Sequence, residues 1–244
     1  MFSKKSVMTT NPSLNREIKL IAFDADDTLW VNEHHYRNAE HSFADMMSPY
    51  CSHEKAIDAL LQKEKENLPL LGYGSKPFII SLVECGIELS GGTLDNNHIK
   101  SLIALGKETI GRNMELYPDA EPVLQKLFGR YPLVLATKGD LKEQESKVER
   151  SGLMKYFTSI EIMSEKHQGN YLKIIDQHGL EPRDFVMVGN SFRSDILPVL
   201  EIGGNAVYIP SDIIWAHEVV EESSHPNLVK LENLTQLPGL FNIQ

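Results

Sequence analysis

Two carboxylates, Asp24 and Asp26, follow directly on an apolar run, Ile18 to Phe23, in the stretch IKLIAFDADDTLW. Two residues apart on an extended chain, their side chains share one direction. Like charges held that close repel, and a hard divalent cation with oxygen ligands relieves the repulsion. Mg²⁺ suits that demand best, because the sequence offers no Cys/His cluster for zinc. Carboxylates paired in this way suit phosphoryl transfer. One attacks phosphorus as a covalent nucleophile, and the other protonates the leaving oxygen and then activates water. A cation, a hydroxyl and a Lys ammonium would hold the remaining phosphoryl oxygens.

These acids need a scaffold that collects partners from distant parts of the chain. Further apolar segments resembling the first lie at Leu133–Ala136, Phe185–Val188 and Ala206–Ile209, with a weaker one at Ser159–Met163. Short, nearly continuous apolar runs of this kind are strands buried on both faces. Helical stretches at Asp119–Phe128, Leu141–Ser151 and Asn170–His178 alternate with them. That alternation predicts an α/β fold with a doubly wound parallel sheet. Ligands of such sheets gather outside the carboxyl ends of the strands. There the sequence places Asp24, Asp26 and Asp27, then Thr137 and Lys138, then Asn190, Ser191 and Asp195.

The segment 32–114 breaks the rhythm. It carries helical patterns at Tyr36–Met47, Glu54–Asn67, Pro77–Gly86 and Asp95–Arg112 and no convincing strand. Some eighty residues of helix are too many for a crossover and predict an inserted all-α subdomain. The expected division is a loose tail over 1–16, a core over 17–31 and 115–244, and the insertion between, hinged at Val31–His35 and Met114–Pro118.

The 244 residues carry 24 Lys and Arg against 34 Asp and Glu, a formal charge of −10. That excess of acid disfavours nucleic acid, whose phosphate backbone calls for clustered cations. No apolar stretch approaches a membrane span, and no signal-peptide core stands near the start. Two cysteines, Cys51 and Cys85, fit a reducing, cytoplasmic setting. Oligomeric state is not legible.

Four segments, in order, resemble the motifs of the haloacid dehalogenase-like hydrolase superfamily. FDADDTL resembles motif I (DxDxT), LVLATKGD motif II, SEKHQGNYLKII motif III and VMVGNSFRSDI motif IV. The inserted helices resemble the family's C1 cap. The resemblance implies Asp24 as nucleophile and Asp26 as general acid/base, with Thr137 and Lys166 holding the phosphoryl group. It also implies a Mg²⁺ site at Asp24, Asp26, Asn190 and Asp195. Substrate contacts are expected from Lys138, Gly139, Arg193 and from Tyr73 in the cap loop GYGSKP. Asp26 bears on reaction type, since the superfamily's dehalogenases lack a carboxylate there. The motif IV position that is usually Asp is here Asn190, which leaves open whether Asp195 ligates metal directly or acts through a hydrogen bond.

The reading that follows is a Mg²⁺-dependent phosphatase of a small phosphorylated metabolite. A sugar phosphomutase, or a catalytically silent binding protein on the same fold, are the alternatives. His34, His35 and His41 read as a solvated helix start, and Trp215 reads equally as packing or as substrate contact.

Overall fold

Alternate residues of each strand sort the core into two layers. The computed structural model describes residues 17–213, 215, 216 and 218–243; the predicted tail 1–16 lies outside the described residues. Ile21, Phe23, Leu133, Leu135, Val186 and Val188 face one layer. Leu20, Ala22, Val134, Ala136, Phe185 and Met187 face the other. The two-residue period of a strand sends neighbours to opposite faces, so a strand covered on both sides must be apolar throughout.

Six parallel strands form one sheet: β1 (Leu20–Phe23), β2 (Leu133–Lys138), β3 (Ser159–Met163), β4 (Phe185–Gly189), β5 (Asn205–Tyr208) and β6 (Leu228–Lys230), in the order β3-β2-β1-β4-β5-β6. The order reverses direction at β1, the switch point where such sheets open a ligand crevice. Phe23 pairs with Leu135 on one side and Val188 on the other, so β1, β2 and β4 leave the sheet at one edge. The sequence reading has no counterpart for β6, an edge strand of three residues.

Four helices follow β1: α1 (Glu33–Met46), α2 (His53–Leu71), α3 (Ser75–Leu89) and α4 (Asn96–Gly111). They bury a core of their own around Phe43, Leu60, Phe78, Leu82 and Leu102. Helix α2 runs past its expected end at Asn67, through Pro69, and stops at Gly72 with φ 74°. A proline so near the C-terminus removes one of the last hydrogen bonds and leaves the rest of the helix intact. The outgoing and returning connections lie side by side: Val31 N donates to Glu115 O at 2.9 Å, and Tyr117 N to Leu29 O at 3.0 Å.

Helices α5 (Ala120–Leu127), α6 (Leu141–Ser151), α7 (Gln168–Gln177) and α8 (Leu197–Glu201) belong to the sheet. Asp140 caps α6 by accepting from Glu143 N, and Gly152 ends it in the left-handed conformation. Among the described residues no helix is long and apolar enough to cross a membrane.

Candidate active site

Asp24 is the first residue beyond β1, and its N–H still donates to Val188 O at 2.9 Å. Its side chain is buried. Oδ2 accepts from Thr28 Oγ1 at 2.9 Å, and Oδ1 forms a close ion pair with Lys166 Nζ. Burial raises the Asp24 pKa to about 7, with the Lys166 charge pulling the other way. Lys166 is itself 5% exposed and also reaches Asp195 Oδ1 at 2.7 Å. Burial works against the ammonium, but Asp195 and Asp24 outweigh it and hold the Lys166 pKa well above its ordinary value.

Asp195 is fully buried, with its second oxygen accepting from Ser191 N at 2.9 Å. Both carboxylate oxygens are therefore committed within the protein. A Cβ on Gly189 would collide with this carboxylate, so the residue ending β4 has to be glycine. Tyr171 donates its hydroxyl to Ser194 O at 2.9 Å and ties α7 to the turn that carries Asp195.

Asp26 is held by a second set of groups. Trp30 Nε1 donates to Oδ1 at 2.6 Å, and Gln144 Nε2 to Oδ2 at 3.1 Å. Lys147 Nζ reaches both oxygens and also Asn32 Oδ1 at 2.8 Å. Burial disfavours the Lys147 charge, but Asp26 and Glu143 prevail and raise its pKa. Gln144 also donates to Thr137 Oγ1 at 2.6 Å, so one amide spans the end of β2 and the Asp26 carboxylate. Asp27 shapes the chain at this point. At φ 61° it turns the backbone, and its carboxylate accepts from the N–H groups of Asn32 and Glu33.

Three oxygen-bearing groups converge beside Asp24. With its nitrogen turned inward, the Asn190 amide lies 3.2 Å from each of Thr28 Oγ1, Asp24 Oδ2 and Asp26 O. With its oxygen turned inward, that same atom completes a set of a carboxylate, a backbone carbonyl and an amide oxygen. Such a set is the hard, all-oxygen chemistry that Mg²⁺ takes, and the residues fit the ion. Among the described residues no three His, Cys, Asp or Glu side chains are grouped to hold a metal.

A cavity of about 170 Å³ opens above these groups and reaches the inserted helices. It is lined by Asp24, Asp26, Thr137, Lys138, Gly139, Lys166, Asn190 and Asp195, together with Tyr73 from the α2–α3 loop. Tyr73 donates to Glu165 Oε2 at 2.8 Å and lays its ring 4.1 Å from Lys138 Nζ. Gly139 adopts φ 133°, which favours glycine. The α2–α3 loop is fastened to α6: Ser75 N and Oγ donate to Glu143 at 2.9 and 2.7 Å, and Lys76 pairs with Asp140 at 2.8 Å.

Arg193 is exposed on the helical turn Phe192–Ile196 and is not among the residues that line the cavity, but its charge acts on Tyr73, which does line it. Three residues that sequence reasoning does not single out also stand at the site: Gln144, Lys147 and Glu218. Glu218 binds Lys138, Ser191 and Ser194. Burial penalises its charge, but Lys138 and the two hydroxyls hold its pKa below the ordinary carboxylate range.

A Rossmann-like parallel sheet, with acids, a hydroxyl and a buried lysine at its switch point beneath an inserted helical unit, defines a class of α/β hydrolases. The family model for haloacid dehalogenase-like hydrolases matches residues 18–203, and the chain belongs to that family. It is similar to a haloacid dehalogenase-like family hydrolase of Xanthomonas campestris, at 34% identity and a TM-score of 0.83, over 97% of this chain and 96% of the other. It is 30% identical over 162 residues to the N-acylneuraminate-9-phosphatase of Rattus norvegicus; the match takes in 63% of each chain, somewhat under two thirds of that relative's length. A putative HAD-hydrolase of Bacillus subtilis, solved bound to magnesium, shares the fold at 14% identity and a TM-score of 0.66, over 93% of this chain and all of the other.

Proposed function

We propose that this protein is a Mg²⁺-dependent phosphatase that hydrolyses a small phosphorylated metabolite through an aspartyl-phosphate on Asp24. The observation that carries the reading is that two acids face one cavity, each paired with its own lysine. Asp24 is locked by Thr28 and Lys166, as a nucleophile must be. Asp26 faces the same cavity, oriented by Trp30, Gln144 and Lys147.

The chemistry runs in two steps. An Asp24 carboxylate oxygen attacks phosphorus, the ester P–O bond breaks, and the departing oxygen takes a proton from Asp26. Asp26 then removes a proton from water as the water oxygen attacks phosphorus, and the bond to Asp24 breaks to release inorganic phosphate. Lys166 and Thr137 bear the charge of the phosphoryl oxygens, and Lys138 extends the positive field at the cavity floor. Mg²⁺, held by Asp24, Asn190 and the Asp26 carbonyl, would neutralise phosphoryl charge as a Lewis acid. Asp195 supports this arrangement through Lys166 and the Ser191 N–H. The four inserted helices act as a cap, docked through Ser75–Glu143 and Lys76–Asp140, that shelters the site from water. The free cysteines Cys51 and Cys85 support a cytoplasmic setting.

The test is turnover of p-nitrophenyl phosphate with Mg²⁺ and with a chelator. Wild type should turn over only with the ion, and Asp24→Asn should be inactive with it. Turnover that survives in Asp24→Asn would remove the proposed nucleophile.

A further inference from the structure

Lys138 ends β2 beside Thr137 and lines the cavity, and the three N–H groups of its ammonium are all engaged by the protein. Glu218 Oε1 takes one in a close ion pair, and Ser194 Oγ accepts another at 3.0 Å. The Tyr73 ring lies over the third side, 4.1 Å from Nζ. A lysine has three donors and no more, and an aromatic face satisfies one of them. The Lys138 field still reaches the phosphoryl site, but its donors are taken.

Glu218 is engaged as completely. Its Oε2 accepts from the hydroxyls of Ser191 and Ser194, the latter at 2.7 Å. Ser191 Oγ accepts from Ser194 N at 3.0 Å, which turns the Ser191 proton toward the carboxylate. The Lys138 and Glu218 side chains are only 17% and 10% exposed. One ammonium and two hydroxyls, collected from the ends of β2 and β4, make an anion socket at the sheet edge where ligands of this fold bind. Lys138, Ser191, Ser194 and Glu218 all line the cavity, so the socket belongs to its wall. The anion that fills it is the chain's own. Glu218 comes from the connection 209–227 between β5 and β6, which also sets Trp215 edge-on against the Tyr73 ring that covers Lys138.

We infer that Glu218 is a specificity-determining residue: by filling the socket of Lys138, Ser191 and Ser194, it bars a second anionic group of the substrate from that side of the phosphate. The ester handled at Asp24 then carries an uncharged group, such as a hydroxyl, close to its phosphate. The inference rests on the phosphatase reading for the phosphate end and adds a limit on the rest of the substrate. A substrate carboxylate placed there would face the Glu218 carboxylate and find the Lys138 donors occupied, and like charges brought together lose binding. A hydroxyl is not repelled and can donate to a remaining lone pair of Glu218.

Calorimetry on Asp24→Asn protein with Mg²⁺, which keeps the ester intact, tests this with two pairs that differ only in a carboxylate or a hydroxymethyl group. One pair is phosphoglycolate against 2-hydroxyethyl phosphate, and the other is 3-phosphoglycerate against glycerol 3-phosphate. The hydroxymethyl member should bind at least fivefold more tightly in one pair and no more weakly in the other. Adding Glu218→Gln frees Lys138 and should bring the larger ratio to within about twofold or reverse it; Glu218→Ala serves if that variant does not fold. Adding Lys138→Met as well should remove what the carboxylate member gained. Any other order of affinities in the Asp24→Asn protein, a ratio that stays above about twofold without Glu218, or a gain that survives Lys138→Met overturns the inference. Failure of wild type to hydrolyse p-nitrophenyl phosphate would instead count against the phosphatase reading, leaving the binding ratios to judge Glu218.

Discussion

Lys147 Nζ lies 3.0 and 3.1 Å from the two carboxylate oxygens of Asp26, one turn of α6 beyond the Glu143 that fastens the cap loop. The acid proposed to move protons is thus positioned by the helix on which the cap rests. Removing Lys147 leaves Asp26 and Glu143 without their largely buried cation, whose side chain is 12% exposed. Lys147→Met should cost about 3–5 kcal/mol of stability, as broken buried pairs do. It should also lower kcat by roughly 10²-fold, because the proton-transfer group loses its orientation. Thermal melts and p-nitrophenyl phosphate kinetics on the same preparation check both.

Glu143 links the two halves through Ser75 N and Oγ. Glu143→Ala should free the α2–α3 loop and Tyr73 with it. A loop that must order on binding weakens substrate capture, so KM should rise severalfold with a smaller loss in kcat. Steady-state kinetics separate the two constants.

Gly189 tests the packing behind Lys166. A Cβ there collides with the Asp195 carboxylate, which must move and take Lys166 with it. Gly189→Ala should destabilise by about 1–3 kcal/mol and reduce kcat by roughly 10²-fold. A variant with wild-type kcat would show that Lys166 does not depend on Asp195.

Glu33 and Glu64, enclosed beneath α1 and α2, set a pH dependence of stability. Burial lifts Glu33 to about 9 and Glu64 to about 8, from an ordinary 4.5. Between about pH 4.5 and those values the folded state keeps protons that the unfolded chain has lost. With more protons bound in the folded state, unfolding free energy falls as pH rises, by up to about 1.4 kcal/mol per pH unit for each group. Urea denaturation at pH 5, 6.5 and 8 should show declining stability, and Glu33→Gln or Glu64→Gln should flatten the decline. Stability that rises over this range would contradict the burial of these groups as acids.

The architecture is legible where a segment's own pattern suffices. The apolar runs at Leu133 and Phe185 mark β2 and β4, and α6 has its predicted bounds because Asp140 and Gly152 cap it. Asp24, Asp26, Thr137, Asn190 and Asp195 are recoverable because strand ends collect at one sheet edge. Strand β6 is not, since three residues at an edge carry little periodicity. The sequence does not say which way the turn Phe192–Ile196 directs its side chains, so the burial of Asp195 and the exposure of Arg193 are read only from the fold. Gln144 and Lys147 stand three apart on one face of α6, a spacing that makes helical neighbours. Only the docking of that face against β1 gives the spacing meaning. Glu33, Glu40 and Glu64 read as ordinary surface acids until the fold encloses them.

In the proposed reaction the phosphoryl group passes through Asp24. The most direct measurement mixes wild-type protein and Mg²⁺ with a ³²P-labelled phosphate ester, quenches in acid and maps the label. The prediction is a hydroxylamine-labile label on the peptide that contains Asp24, formed within one turnover and absent from Asp24→Asn. Steady release of phosphate by Asp24→Asn, or a label confined to another residue, would contradict it.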